Sequence, residues 1–443
     1  MGVTAVNNSK AVIVVGNPDA LRVAASSARI STQQGTALEI FDRSLGDEKD
    51  LKLIDKVLSS GHKSVIEHQT SGIAFNDVSV LVEQFVIEAR LASYTVKSRR
   101  YVDFAGAGYV VPEGLEGETR ALYDAAMSAR FADYEKLMAL GVPKEDARFV
   151  LPYCLRSNFF MTVNARELIA LVCAMLAGRG KGFAEIEALG VQLKRQFDAR
   201  FPGVIDKELA RYPGCKSMPL TTDIQSPREA AGDAALLSGP ANARVMLEEA
   251  LAFSGRFDGE GLEHERLKAL LMDARPRELE LLGYVFRVQN ISLACLTHFA
   301  RHRIDSPVIP AVLTALAGGR YVVPETVKAI PEAEAIFRRA FEAQADSARR
   351  ALALGMSPEN ASYFAMSGHQ LDILLGMNAR ELMHFMKLRT CSRAQWEIRG
   401  VAGHMLERLR EAFPELFSMY GASCRFGPCP EGRMSCGRPQ ARI

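Results

Sequence analysis

What this chain lacks first is an excess of charge: 54 Lys and Arg stand against 52 Asp and Glu, a formal net charge of +2. There is no global field for gripping nucleic acid, so an anionic ligand has to be held by local arginines. Long apolar runs are missing too. Leu168 to Gly178 is among the longest, far short of the roughly 20 residues that cross a bilayer. No basic-then-apolar leader is read at the start of the sequence. No membrane contact and a cytoplasmic location are therefore expected. Cysteine is sparse for a disulfide scaffold. Of eight, Cys154, Cys173, Cys215 and Cys295 are scattered in apolar or loop contexts and read as small buried hydrophobes. What is present is length: 443 residues suffice for roughly two to four domains, so an internal boundary is required.

The chain is self-similar. Tyr109-Val-Val-Pro-Glu113 recurs as Tyr321-Val-Val-Pro-Glu325, and Gly141-Val-Pro-Lys-Glu-Asp-Ala-Arg-Phe149 recurs, altered, as Gly355-Met-Ser-Pro-Glu-Asn-Ala-Ser-Tyr363. Asn164-Ala-Arg-Glu-Leu168 recurs as Asn378-Ala-Arg-Glu-Leu382. The offset stays between 212 and 214 residues, so the copies are collinear. A period this long means duplicated domains, not a solenoid. The expected division is a first copy over 1–214, a seam over 215–235 rich in Pro, Ser, Asp and Gly, a second copy over 236–415, and a Cys- and Gly-rich tail over 416–443.

Ala11 to Val15 has the pattern of a short buried strand. Asp77 to Ala92 reads as an apolar-striped helix with a counterpart from about Ile291 to Arg303. Residues 115–140 and 327–354 are helices rich in Ala, Glu and Arg, without β-branched runs. The fold class is α+β: two tandem copies, each a small antiparallel-type sheet with a helical half. Asn164 and Asn378, each three residues before a Glu, read as helix N-caps. The second of these helices is expected to stop near Arg389, and Ser392-Arg-Ala-Gln395 resembles another capping box. That would place Arg393 in the first turn of the next helix, where donors and dipole favour anions.

The second copy contains Arg301-His-Arg303, Asn378-Ala-Arg380 and Leu388-Arg-Thr-Cys-Ser-Arg-Ala-Gln-Trp-Glu-Ile-Arg399. In order and spacing these resemble the flavin-dependent thymidylate synthases. The first copy resembles the same family through Ile66-Glu-His68, Ser93, Ser98-Arg-Arg-Tyr101, Ala147-Arg-Phe-Val-Leu-Pro152 and Asn164-Ala-Arg166. Its Arg-His-Arg position reads Glu88-Ala-Arg90, and its Gln-Trp segment is read as dissolved into Gly178-Arg-Gly-Lys-Gly182. The second copy, conversely, has Leu281 for His68, Ser362 for Arg148, and Ala311 and Leu313 for Ser98 and Arg100. The losses are complementary, as a site shared between the two copies allows.

The resemblance implies reductive methylation of dUMP to dTMP, with methylenetetrahydrofolate as one-carbon donor, NADPH as reductant and FAD as cofactor. It implies a homodimer in which paired copies imitate the family's homotetramer. Carried over residue by residue, Ser98, Arg100, Arg148, His298 and Arg389 would hold dUMP. His68, Thr70, Arg301, His302, Arg303, Asn378, Arg380 and Arg393 would hold FAD. Arg301, Arg389 and Ser98 would act at the reacting centre. The family's Asn-Glu between its two serines is here Thr95-Val96 or Val308-Ile309, so a non-catalytic or altered-specificity flavin and pyrimidine-nucleotide binder is the alternative. Taken singly, each motif also has a plain reading: Arg301-His-Arg303 a solvated helix end, Ser98 a turn, Arg148 and Arg389 partners of surface carboxylates.

Cys391, Cys424, Cys429 and Cys436 form a separate group around the Gly- and Pro-rich tail. Four thiolates would satisfy tetrahedral zinc or an iron–sulfur cluster, and unligated tail cysteines are the alternative.

Overall fold

In the computed structural model the described residues are 4, 5, 7–212 and 220–443. Cys215 and the first five residues of the expected seam lie outside them. The chain forms two compact units: Met1–Ile224 with Glu325–Met366, and Gln225–Pro324 with Ser367–Ile443.

The first unit is built on an antiparallel sheet of β1 (Lys10–Gly16), β2 (Thr70–Ser79), β3 (Ala92–Val96) and β4 (Arg156–Asn164), in the order β1-β2-β4-β3. Ile73, Phe75, Phe159, Met161 and Val163 point into one core with the helix Ala165–Leu176, the alternation expected of a half-buried sheet. The outer edge of β1 is closed by side chains. Gln192 Oε1 accepts from the Ala11 amide at 3.1 Å and Gln196 Oε1 from the Ile13 amide at 2.8 Å, which removes a template for edge pairing. Helices Gly117–Ala139 and Pro331–Ala353 lie together in this unit, joined where Arg130 Nη1 donates to the Ala340 carbonyl at 2.8 Å.

The second unit repeats the sheet with β5 (Asp233–Ser238), β6 (Gly283–Ser292), β7 (Ser306–Val308) and β8 (Gln370–Asn378), in the order β5-β6-β8-β7. The repetition reaches single bonds. Asp77 and Asn290 both adopt positive φ, 55° and 52°. Their amides donate to Asn158 Oδ1 at 3.0 Å and Asp372 Oδ1 at 3.1 Å. Two residues on, Ser79 and Ser292 cap helices Val80–Ile87 and Leu293–Phe299 by accepting from the Val82 and Cys295 amides. Each such cap contributes about 1 kcal/mol. Asn164 and Asn378 cap their helices as expected, both at 2.9 Å.

Three expectations are corrected. The helix read over Asp77 to Ala92 is only Val80–Ile87, and its counterpart only Leu293–Phe299. Past the bulge at Asp77 and Asn290 the strands run on through Val78 and Ile291 to Ser79 and Ser292, which cap the helices, and Ala92–Val96 pairs with β4. The helix ending at Arg389 is followed by one starting at Trp396, capped by Gln395 rather than Ser392. Arg393 therefore lies in the intervening turn, outside the first helical turn. Finally, the first copy lacks the Gln-Trp pair as expected, but its counterpart segment is Phe183-Ala-Glu-Ile186 and not Gly178–Gly182. Glu397 accepts from the Ser292 amide at 2.7 Å and Glu185 from the Ser79 amide at 2.9 Å. Ala184-Glu-Ile186 is thus the counterpart of Trp396-Glu-Ile398.

Among the described residues no helix is long and apolar enough to cross a membrane.

Candidate functional site

In the first unit, Ser98 follows β3 and opens a turn by accepting from the Arg100 amide at 3.3 Å. That turn sets side by side three arginines of unequal freedom. Arg99 is buried, with Nη1 2.7 Å from Glu83 Oε2, and the same carboxylate takes the Ser157 hydroxyl. Burial works against the Arg99 charge, but the Glu83 carboxylate outweighs it, so its pKa rises. Arg100 Nε lies 2.5 Å from Glu145 Oε1. Arg148 opens the short turn Arg148–Val150 and is 3% exposed. Its Nε donates to the Glu145 carbonyl at 2.9 Å, while its buried Nη2 has no hydrogen-bond partner. Burial first, then the charge of Arg99 and, less, that of Arg100, push its pKa down to about 10 against the pull of the Glu145 and Asp146 carboxylates. A buried guanidinium facing like charges with an unsatisfied nitrogen is costly, and an anion relieves each of those costs.

His68 and Thr70 fall elsewhere in the same unit. Both are exposed at the start of β2, where Thr70 pairs with Asn164. Ser98 follows Val96, which pairs with Phe159. Five residue steps along β4, from Phe159 to Asn164, separate these ends, a span of roughly 17 Å. The unit does not bring the flavin-side pair to the arginines.

In the second unit, Arg301 and Arg303 stand exposed on either side of His302, which is turned inward and 4% exposed. His302 Nδ1 lies 2.8 Å from Glu381 Oε1, and its Nε2 faces Arg389 Nε at 3.3 Å. Arg389 Nη2 donates to the His298 carbonyl at 3.2 Å. Burial foremost, with the nearby Arg389 charge, lowers the His302 pKa against the pull of Glu381. Beside this chain opens a cavity of about 590 Å³, lined by Asn378, Arg380, His384, Lys387, Ile304 and Met383 among others. Arg380 is paired there with Glu280. Burial lowers the Lys387 pKa, and its ammonium sits 4.0 Å over the Phe426 ring. The cavity thus combines the Arg380, His384 and Lys387 donors and the Asn378 amide with apolar walls and with the carboxylates of Asp273, Glu280 and Glu381, so its charge is mixed rather than cationic.

Of the second-copy candidates, His298, His302 and Arg389 are joined by direct contacts, and Asn378 and Arg380 share the cavity. Arg301 and Arg303 flank the chain of contacts, while Arg393 is half-buried in the turn after it. Glu83, Arg99 and Glu145 in the first unit, and Glu381 and Lys387 in the second, were not read from the sequence as site residues. Glu381 was hidden by its position three residues after Asn378, where a capping role explains it.

The expected metal centre is not formed. Among the described residues there is no group of three or more His, Cys, Asp or Glu placed to hold a metal ion. Two of the thiols accept from tail amides: Cys424 Sγ from the Gln440 amide at 3.3 Å, and Cys436 Sγ from the Arg438 amide at 3.4 Å.

Comparison with known proteins gives the class. The family model described as thymidylate synthase complementing protein matches residues 12–203 and again 234–415. The chain belongs to that family and carries two copies of its α+β fold. It is similar to the flavin-dependent thymidylate synthase of Geobacter sulfurreducens, 38% identical over 163 residues, covering 36% of this chain and 70% of that protein. The enzyme of the same description from Clostridium tetani is 30% identical over 189 residues, covering 39% and 76%. Among solved structures, the UMP/dUMP methylase PolB from Streptomyces cacaoi bound with 5-Br dUMP aligns over 47% of this chain and 97% of that one, at 22% identity and a TM-score of 0.40. Thymidylate synthase X from Helicobacter pylori with FAD and dUMP aligns over 45% and 99%, at 20% identity and a TM-score of 0.35.

Proposed function

We propose that this chain methylates dUMP reductively to dTMP, using methylenetetrahydrofolate as one-carbon donor and NADPH as reductant, with FAD as cofactor. The observation that carries the reading is Arg148: a buried guanidinium with an unpartnered Nη2, beside Arg99 and Arg100 at the Ser98 turn. Such a group is held at a stability cost that binding a dianionic phosphate returns. Family membership supplies the nucleotide and the reaction class.

In this reading Ser98, Arg100 and Arg148 of the first copy hold the nucleotide together with Arg389 and His298 of the second. FAD is held by Arg301, His302, Arg303, Asn378, Arg380 and Arg393, with His68 and Thr70 from the first copy. Two chains associate so that four copies serve two composite sites. The flavin, when bound, supplies the hydride chemistry. The chain's own residues bind and orient. Arg389, tethered to the His298 carbonyl and to His302, presents a fixed cation where negative charge develops on a pyrimidine ring. Holding the pyrimidine and the cofactor together makes the transfer effectively intramolecular. No cysteine nucleophile enters this scheme.

A second reading rests on β3. Thr95 and Val96 are strand residues paired with Phe160 and Phe159, and neither copy offers the family's carboxylate there. A nucleotide binder without turnover, or a methylase of another pyrimidine, is the result.

The test is purified protein with FAD, NADPH and methylenetetrahydrofolate, assayed for product from dUMP and, in parallel, from UMP. The proposal expects dTMP from dUMP. Flavin and nucleotide binding without product supports the second reading, and absence of flavin binding overturns both.

A further inference from the structure

Glu381 occupies the third position of its helix, where a Glu ordinarily reaches back to the amide of the capping residue. Here only half of that exchange is made. Asn378 Oδ1 accepts from the Glu381 amide at 2.9 Å, while the Glu381 carboxylate goes to His302 Nδ1 at 2.8 Å. On the other side of the ring, Arg389 Nε faces Nε2 at 3.3 Å. A carboxylate can only accept and a guanidinium N–H can only donate. The one neutral imidazole that satisfies both neighbours carries its proton on Nδ1 and a lone pair on Nε2. The ring is buried and walled by Phe385, with centroids 5.0 Å apart, and by His384 at 5.7 Å. An imidazolium there would set one N–H donor against another.

The internal repeat supplies an independent comparison. At the positions of His302 and Arg389 the first copy has Ala89 and Met175, while it keeps Asn164 and Glu167 at the helix start. The capping pair is retained wherever the helix begins, but the imidazole and the guanidinium are present or absent together. That pattern is the one a linked pair leaves, in the copy that also has Glu88 for Arg301.

We propose that Glu381 is a positioning residue: by holding His302 in the Nδ1–H tautomer it directs the Nε2 lone pair at Arg389 and so fixes the guanidinium for its ligand. The proposal rests, for the identity of that ligand, on the reading of Arg389 as a nucleotide-side group. The tautomer itself does not depend on that reading.

The test uses full-length protein labelled with 15N-histidine. Long-range proton–nitrogen correlation without ligand reads the His302 tautomer, and dUMP titration reads the affinity. Wild type and Glu381→Gln, whose amide oxygen still accepts from Nδ1–H, are expected in the Nδ1–H form with affinities within about threefold of each other. Glu381→Leu is expected to mix tautomers and lose about tenfold or more, the loss of one hydrogen bond to a charged group. In an Arg389→Ala background the same Glu381→Leu change is expected to cost no further affinity. An Nε2–H signal in wild type overturns the proposal, and this arm stands even if Glu381→Leu does not fold. Equal losses with and without Arg389 overturn it too, since support of the fold alone behaves that way. If the tautomer follows Glu381 as stated but dUMP does not bind wild type, the nucleotide reading falls and the tautomer assignment stands.

Discussion

The two copies agree in what bends and caps the chain and disagree in what carries chemistry. Asp77 and Asn290, Ser79 and Ser292, Asn164 and Asn378, Glu185 and Glu397 make equivalent bonds in the two units. At the candidate site the pairs diverge: His68 against Leu281, Ala89 against His302, Arg148 against Ser362, Met175 against Arg389. Arg148 and Ser362 even open the same short turn, Arg148–Val150 and Ser362–Phe364. Ser362 is buried and its hydroxyl donates to the Pro358 carbonyl at 3.2 Å. Arg148 leaves a nitrogen unsatisfied. One frame thus carries a satisfied core residue in one copy and an unsatisfied cation in the other. A frame fixed by backbone caps lets ligand-binding positions change without loss of the fold.

The sharpest way to break this contrast is to remove the cation. Arg148→Met is expected to lose about 100-fold or more in dUMP affinity, the loss of two charge-assisted hydrogen bonds, measured by calorimetric titration. It is also expected to be more stable than wild type in urea by roughly 1–3 kcal/mol, because a buried, partly unsatisfied charge is replaced by an apolar chain. Ser362→Ala leaves nucleotide affinity where it was. A loss of stability in Arg148→Met would mean that the arginine is structural and that the two turns do not differ as stated.

A smaller effect separates the repeated arginine–glutamate pairs. Arg380, paired with Glu280, lines the cavity, while Arg166 makes the equivalent pair with Glu67 at 2.6 Å. Arg380→Ala is expected to weaken FAD binding about tenfold, one charge-assisted contact, and Arg166→Ala to leave it unchanged. Flavin fluorescence quenching measures both.

The histidine distinguishes the copies by pH. His302 has a pKa below its ordinary 6.5 in the folded chain, so the unfolded chain takes up the proton first as pH falls. Stability from this group is complete above 6.5 and is lost as pH drops from there through the lowered folded value. Urea melts at neutral pH and at about pH 5 are expected to show a steeper decline for wild type than for His302→Phe. Parallel declines would remove His302 from the account.

The smallest and most symmetric effect is expected at the caps. Ser79→Ala and Ser292→Ala should each cost about 1–2 kcal/mol, by the same amount in each unit and without changing flavin affinity. A large difference between them would show that the frame is not equivalent in the two copies.

The sequence made much of this readable, for identifiable reasons. The constant offset between three repeated blocks exposed the duplication, and Asn164 and Asn378 announced their helices because a short polar side chain before a Glu has few other roles. The strand ends from Asp77 and from Ile291 read as helix in the sequence, since a bulge followed by an apolar helix leaves no break in hydrophobicity. Glu185 as partner of Ser79 is masked in the sequence by the glycines of residues 178–182, which stand nearer to the length expected for the segment. Arg148 could be named by resemblance, but its unsatisfied nitrogen is a property of packing that no spacing reveals. Glu381 is concealed by a sufficient local explanation, and four cysteines in the sequence are not enough for a metal centre, since among the described residues no three ligand groups converge.

The account is tested most directly by measuring dTMP formed from dUMP with FAD, NADPH and methylenetetrahydrofolate, in wild type, Arg148→Met and Arg389→Ala. It predicts product from wild type and loss in both variants, although one arginine belongs to each copy. Undiminished product in either variant would contradict the division of labour between the copies.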